Sequence, residues 1–485
     1  MKKLLCLFLI FSLLFSFFSC KKPDDNTPSD GGEQNVPETP EDDGGEEEAP
    51  ISESYINGVH LNSFTIVYSD EDYEYSKRAA EYIKSQILAR TNIDIQIIED
   101  SDQTSGEYEI VVGNTEREIS ARLDEETEGL EFSILTEEKQ IAIEGDYFII
   151  AAAAYYFVES CVPAADYSAT LPLGSSVHQP IVKEAKNYII LIGDGMGVYH
   201  TRMFDYMENN VEFGDGEDVF YGYYLPYFGY SRTASLDGIT DSAAGGTALA
   251  CGIKTNNENI GRDKDLNDVK SLSELAFEKG MAAGVMSTEV QTGATPATFS
   301  SHADSRDSSN EIFESQMHSQ ETYGTIIDCG FDYYTERYME KVIEKHITDT
   351  LGKLSENENG FFLMYEEAHI DKHSHNNDLD KAMSVMVRFN QAIARFMEFA
   401  FYNPDTFILI TADHETGDLY PDENGNLQYH DDYHTLANVP IFAYGDGAEL
   451  FDGVEIENIQ IAHTIASFMG EDNFGDQSQF GSLTE

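Results

Sequence analysis

The chain has 485 residues, too many for one ordinary core, and a globular composition that suggests about two to four domains. Its 29 basic residues face 89 acidic ones, a formal net charge of −60, which excludes a nucleic-acid binder relying on Lys and Arg to neutralise phosphates. The same charge repels an anionic substrate at long range, so any anion site has to be built locally, from metal ions or aimed N–H groups.

The first stretch, MKKLLCLFLIFSLLFSFFSC, places two lysines before an apolar run and Ser19 before Cys20, the pattern of an export signal. Residues 1–20 resemble a bacterial lipoprotein signal peptide, with Phe17 where such signals prefer Leu. That resemblance implies an exported lipoprotein held to a membrane through lipid on Cys20, on the periplasmic side or the cell surface. Residues 21–55 hold 12 acids and 2 lysines among clusters of Pro and Gly, the composition of an acidic, solvated tether. No later segment offers the roughly 20 apolar residues needed to cross a bilayer.

From about 56 the pattern changes. FTIVY and IDIQIIE read as strands around a helix, YEYSKRAAEYIKSQILART, whose Ala79, Tyr82, Ile83 and Ile87 share one face. YEIVVG, EFSILTE and QIAIEGD follow as strands, and YFIIAAAAYYFVESC as a buried helix. Residues 56–182 thus read as a small α/β accessory domain, similar in pattern to one that precedes the catalytic domain of some bacterial glycoside hydrolases. Of the mature cysteines beyond Cys20, export permits one disulfide among Cys161, Cys251 and Cys329, and spacing does not say which.

After a linker around ATLPLGSSVHQPIVKEA, residues 186–485 form the main domain. YIILI, a continuous apolar run suited to a strand buried on both faces, leads into GDGMG with Asp194. GFFLMYEEAHIDKHSH delivers Asp371 and His375, and TFILITADHETGD delivers Asp413 and His414. Ligand sites in open α/β sheets lie at such strand ends. Singly, each residue has an ordinary explanation, a turn aspartate or a surface helix pair, and His434 before VPIFAYG would usually be structural. Together Asp194, Asp371, His375, Asp413, His414 and His434 supply six carboxylate and imidazole donors without thiolates. Such a set suits zinc in an open catalytic site, and six donors suffice for two metals. The bare run DSAAGGTALACG puts Ser242 at a helix N-terminus, where unpaired N–H groups collect an anion. No histidine stands near it in sequence, but a metal-held hydroxyl needs no base.

GDGMG, TDSAAGGTALACGIKT, STEVQTGATPATFSSHADSR, YEEAHIDKHSH, TADHETGD and the late HT before VPIFAYG occur in the order seen in the alkaline phosphatase family, which this chain resembles over residues 188 to about 445. The resemblance implies an α/β sandwich around a mostly parallel sheet, and hydrolysis of small phosphomonoesters through a phosphoserine at Ser242, with Asp241 orienting its surroundings. It implies one zinc on Asp371, His375 and His434, and a second on Asp194, Asp413, His414 and Ser242. A third ion, normally magnesium, would lie between Asp194, Thr295 and Glu366. Arg306, 11 residues after Thr295, matches the arginine that grips phosphate.

Two departures stand out. Where the family carries aspartate or histidine two positions before Thr295, this chain has Gly293, so magnesium is expected to bind loosely. Lys372 matches a lysine that pairs with that aspartate; here it is expected to lack a carboxylate and to approach the phosphate instead. Only 59 residues separate Arg306 from Glu366 and 19 separate His414 from His434, so insertions that crown the site and build a dimer interface are expected to be missing, and the oligomeric state stays open. Phosphodiesterase or sulfatase chemistry within the same superfamily is the competing reading, although sulfatases need a CxPxR or SxPxR setting that is absent here. A surface lipoprotein that binds phosphate without turning it over is the other, and such a binder has no need of Ser242.

Overall fold

The computed structural model describes residues 53–70, 73–102, 106–123, 127–162, 168–206, 219–331, 339–478 and 481–483. The export signal, Cys20 and all but the last three residues of the acidic tether lie outside the described residues.

Two sheets organise the chain. The first is built by β1 (Phe64–Tyr68), α1 (Tyr73–Thr91), β2 (Gln96–Glu99), β3 (Tyr108–Val112), β4 (Phe132–Thr136), β5 (Gln140–Glu144), α2 (Ile150–Cys161) and β6 (Gly174–His178). Its strand order is β2-β1-β3-β5-β4-β6, parallel as far as β5 and antiparallel beyond. The expected strands and both helices are present. β6 is a correction, because GSSVH reads as linker. It is a polar edge strand joined to β4 by main-chain bonds, and an edge held that way carries no apolar alternation to read.

The second sheet has eight strands. In chain order the elements that matter are β7 (Asn187–Gly193), β8 (Tyr227–Arg232), α3 (Ser242–Cys251), β9 (Ala282–Ser287), α4 (Ala294–Ser300), β10 (Ile326–Cys329), β11 (Phe361–Glu367), α5 (His369–Ser374), α6 (Leu379–Tyr402), β12 (Thr406–Thr411), β13 (Glu415–Thr416), β14 (His434–Thr435), β15 (Val439–Tyr444), β16 (Glu455–Glu457) and α7 (Ile459–Phe468). The order is β10-β9-β11-β7-β12-β15-β8-β16. The first five strands run parallel, and β15 opposes both of its neighbours. This is the expected mostly parallel sheet.

Both faces of that sheet are covered, which explains the continuous apolar runs. Alternate side chains of β7 separate by face: Ile189 and Leu191 join the apolar layer that contains α6, while Tyr188, Ile190 and Ile192 join the layer that contains α3 and α7. The α6 layer continues without a break into α1 and α2 beneath the first sheet. Phe148 stacks on Phe401 with ring centroids 6.0 Å apart, and Tyr82 lies 4.3 Å from Tyr402. α2 is almost wholly buried, as its sequence implies, and no helix among the described residues is long and apolar enough to cross a membrane. Cys161, Cys251 and Cys329 are all unpaired, so the disulfide that export would permit is not formed among them.

Candidate active site

Parallel register brings the chemistry to one edge. Gly193 of β7 lies opposite Glu367 of β11, and Ile192 lies opposite both Glu366 and Thr411 of β12. On the far side of β11, Ser287 at the end of β9 faces Glu366. Asp194, Glu366, Asp413 and His414 therefore leave the sheet together, at the C-terminal ends of adjacent strands.

Ser242 opens α3. Asp241 caps the helix by accepting from the Ala244 N–H at 2.9 Å, and its second oxygen accepts from the Glu258 N–H at 3.0 Å and from Arg306 Nη1 at 3.2 Å. One carboxylate thus fixes the helix start, the following loop and the guanidinium. The bare Ala-Gly composition of α3 reflects close approach. A Cβ at Gly245 would lie 2.9 Å from the Asp413 carbonyl oxygen, and one at Gly246 would lie 2.8 Å from Thr298 Oγ1 of α4. Small residues let the helix wedge against the strand end that carries the metal donors.

Ser242 Oγ lies 3.2 Å from His414 Nε2, which is itself 3.3 Å from Asp413 Oδ2 and 3.6 Å from Asp194 Oδ1. Across the site, His375 Nε2 and His434 Nε2 face each other at 3.1 Å, and Asp371 Oδ1 lies 3.3 Å and 3.4 Å from them. The other ring nitrogens are committed. His375 Nδ1 donates to the Asp432 carbonyl at 2.6 Å, and His434 Nδ1 to the Thr240 carbonyl at 2.8 Å. In the neutral rings this leaves both Nε2 lone pairs aimed at one point, an arrangement that a cation relieves.

Two groups of donor atoms lie within metal-binding reach of each other: Asp371, His375 and His434, and Asp194, Asp371 and His414. The six expected zinc donors are thus gathered, but with an overlap. Asp371 belongs to both groups, and Asp413 joins through His414. Asp413 Oδ1 accepts from the Gly195 and His414 N–H groups at 3.2 and 3.0 Å, while its Oδ2 and Asp194 Oδ1 are buried without a hydrogen-bond partner. Buried carboxylate oxygens left in that state mark a place for a cation.

The electrostatics agree. Burial, then the negative charges of Asp413 and Asp371, raise the Asp194 carboxyl well above its ordinary range. Burial raises Asp413 to about 7, and it raises Glu366 to about 7 against the opposing Ser287 and Thr295 hydroxyls. Burial drives His414 far below the usual imidazole value, which keeps it neutral and able to ligate. Bound divalent cations invert this balance by neutralising the carboxylates. Nitrogen and carboxylate donors at the first two groups fit zinc, and the oxygen-only set around Glu366 and Thr295 fits a harder ion such as magnesium.

Lys372 requires a correction. Its ammonium is paired with Glu289, so it does not lack a carboxylate. Sequence alone did not single out Glu289, which sits on the loop between β9 and α4. Its only signal is an acidic residue four positions before an unusual glycine.

Comparison with known proteins follows the same residues. A family model described as alkaline phosphatase matches residues 185–329 and 327–422. Alkaline phosphatase 3 of Bacillus subtilis (strain 168) is 33% identical over 287 residues, covering 48% of this chain and 62% of that protein. The Escherichia coli (strain K12) alkaline phosphatase is 40% identical over 127 residues, 26% of this chain and 27% of its own. The solved alkaline phosphatase of the Antarctic bacterium TAB5 superposes with a TM-score of 0.52 at 25% identity, over 60% of this chain and 100% of that one. A mutant of the TAB5 enzyme with aspartate in place of a histidine, described with Mg bound in the M3 site, gives 0.51 at 26% over the same shares. The match to the Bacillus enzyme spans just under two thirds of that protein's length.

Proposed function

The chain belongs to the alkaline phosphatase family, and from that premise we propose that it hydrolyses phosphate monoesters through a phosphoserine at Ser242. The observation that carries the reading is Ser242 Oγ at the start of α3, 3.2 Å from His414 Nε2 and beside the Arg306–Asp241 pair.

In this reading Asp371, His375 and His434 would hold one zinc, Asp194, Asp413 and His414 would hold the other, and Glu366 and Thr295 would contribute to a magnesium site. Bound there, the ions supply positive charge that offsets the buried carboxylates and stabilises oxygen atoms as negative charge develops on them. The chain's own groups do the positioning. The first N–H groups of α3 and the Arg306 fork receive the phosphate oxygens, a local attraction that adds to that of the ions in a strongly acidic protein. Asp241 keeps that fork aligned with the nucleophile. Ser242 Oγ forms the new bond to phosphorus as the ester oxygen departs, and the proton lost by serine is balanced by the one the alcohol gains. Water then attacks the same phosphorus from the vacated side, returning the serine hydroxyl and releasing inorganic phosphate. We further propose export and anchoring through lipid on Cys20, with 21–55 as the tether.

Zinc-loaded full-length chain should turn over p-nitrophenyl phosphate far faster than the bis ester. Ser242→Ala should lose roughly three to six orders of magnitude in rate, the range seen when a nucleophile is removed, while keeping its metal. Zinc-loaded parent without monoester turnover would defeat the proposal, and equal diester turnover would redirect it.

A further inference from the structure

The loop from β9 to α4 doubles back on itself. Gly293 N–H donates to the Val290 carbonyl at 2.8 Å, which folds position 293 against Glu289. A Cβ built at Gly293 would fall on Glu289 Cγ, well inside van der Waals contact, and would also lie 3.0 Å from the Val290 carbonyl oxygen. The Glu289 N–H donates to Ser287 Oγ at 2.9 Å, and the same hydroxyl donates to Glu366. Lys372 on α5 closes the other side by pairing with the Glu289 carboxylate. Glu289 therefore fills the volume that a side chain at 293 would take, and it lies close enough to Glu366 for its negative charge to help raise that carboxyl.

We propose that Glu289 furnishes the third cation site with the carboxylate that position 293 lacks, and that the missing side chain at Gly293 is what leaves room for it. The inference rests on the cation site of the function proposed above. It has a chemical rationale: a hard divalent cation prefers oxygen ligands and keeps ordered waters, which a second carboxylate can hold directly or through those waters. Lys372 then positions Glu289 and does not contact phosphate. The weakness expected from the glycine is made good from four residues upstream.

The test titrates Mg²⁺ into zinc-loaded full-length protein, reading affinity by calorimetry and the Mg²⁺-dependent rise in Tm. Glu289→Gln should weaken Mg²⁺ binding by about 10- to 100-fold, the usual cost of losing such a partner. Gly293→Ala should weaken it similarly with residue 289 still glutamate, because the new methyl displaces that side chain. The double variant Glu289→Ala with Gly293→Asp should recover affinity to within about threefold of the parent, on the same scale of partner effects. Parent-like Mg²⁺ affinity in Glu289→Gln overturns the inference. So does a parent that hydrolyses monoesters but binds no Mg²⁺, an outcome that leaves the proposed function standing. A parent without turnover defeats the function, and the affinities still decide the role of Glu289.

Discussion

Glu366 and Glu367 are neighbours at the end of β11, both buried, and their environments are opposite. The pleat sends them to different faces. Glu367 meets the Arg388 guanidinium of α6 in a two-pronged contact at 2.7 and 2.6 Å, with the Thr288 hydroxyl donating at 2.9 Å. Burial alone would raise its carboxyl, but Arg388 overcomes this and holds it down at about 2. Glu366 meets hydroxyls and other carboxylates, and it rises to about 7. In a chain with 89 acidic residues against 29 basic ones, Glu367 is given its own arginine and becomes part of the frame, whereas Glu366 is given none and stays available to a cation. The junction between the two sheets follows the first of these patterns: buried Glu398 accepts from Arg78 of α1 at 2.7 Å and pairs with Arg395 at 3.1 Å.

The largest effect should come from breaking the framed pair. Arg388→Met leaves Glu367 buried without its guanidinium, with the Thr288 hydroxyl and His369 still beside it, which costs about 3–5 kcal/mol at a pH where it stays ionised. Glu366→Gln in metal-stripped protein should change stability by no more than about 1 kcal/mol, and in the stabilising direction, because it removes like-charge repulsion and keeps an acceptor for Ser287. Denaturant melts of the two variants beside the parent check this. Equal losses would erase the distinction between the two glutamates.

Arg306 sharpens the comparison from the cationic side. It contacts Asp241 at 3.2 Å but remains about a third exposed, so it is not consumed by the frame. Arg306→Ala should barely move Tm. It should raise KM and weaken inhibition by inorganic phosphate by about 10- to 100-fold, as expected for one or two lost hydrogen bonds to a charged ligand. Unchanged phosphate inhibition would remove Arg306 from the site.

What could be read from sequence follows the same division. The runs YIILI, FFLMY and TFILI are legible because strands buried on both faces must be apolar throughout, and the polar residues that end them have nowhere to go but the sheet edge. That made Asp194, Asp413 and His414 visible together with Asp371 and His375, whereas Glu366 came only from the family resemblance. Residues whose partners lie far away in sequence were not visible. EE at the end of β11 gives no hint that one member will meet Arg388, and nothing in STEVQTG reveals that Glu289 folds over Gly293 onto Lys372. GSSVH escaped for another reason, since an edge strand held by main-chain bonds carries no side-chain pattern. The shared role of Asp371 was likewise invisible, because spacing along α5 orders His375 against it but says nothing of His414.

The smallest effect tests a framed pair near the surface. His302 Nε2 lies 3.2 Å from Glu274 Oε1, and its Nδ1 lies 2.8 Å from the Gly261 carbonyl, so the ring is held doubly protonated. Burial opposes both charges, yet mutual attraction wins. The imidazole is raised above its ordinary 6.5 and the carboxyl lowered below its ordinary 4.5. The Glu274 contribution is present above pH 4.5 and is lost as pH falls through its lowered value. The His302 contribution is complete below pH 6.5 and is lost as pH rises through its raised value. The pair therefore stabilises most between those limits, by about 1 kcal/mol for a pair of this exposure. His302→Gln should lower Tm more at pH 5.5 than at pH 9, whereas Arg388→Met should cost more at pH 9, because burial pushes up a Glu367 carboxyl that has lost its guanidinium and protonation relieves the penalty as pH falls. A His302→Gln deficit that grows with pH would mean that the ring is neutral in the fold and that this carboxylate is not framed in the same sense as Glu367.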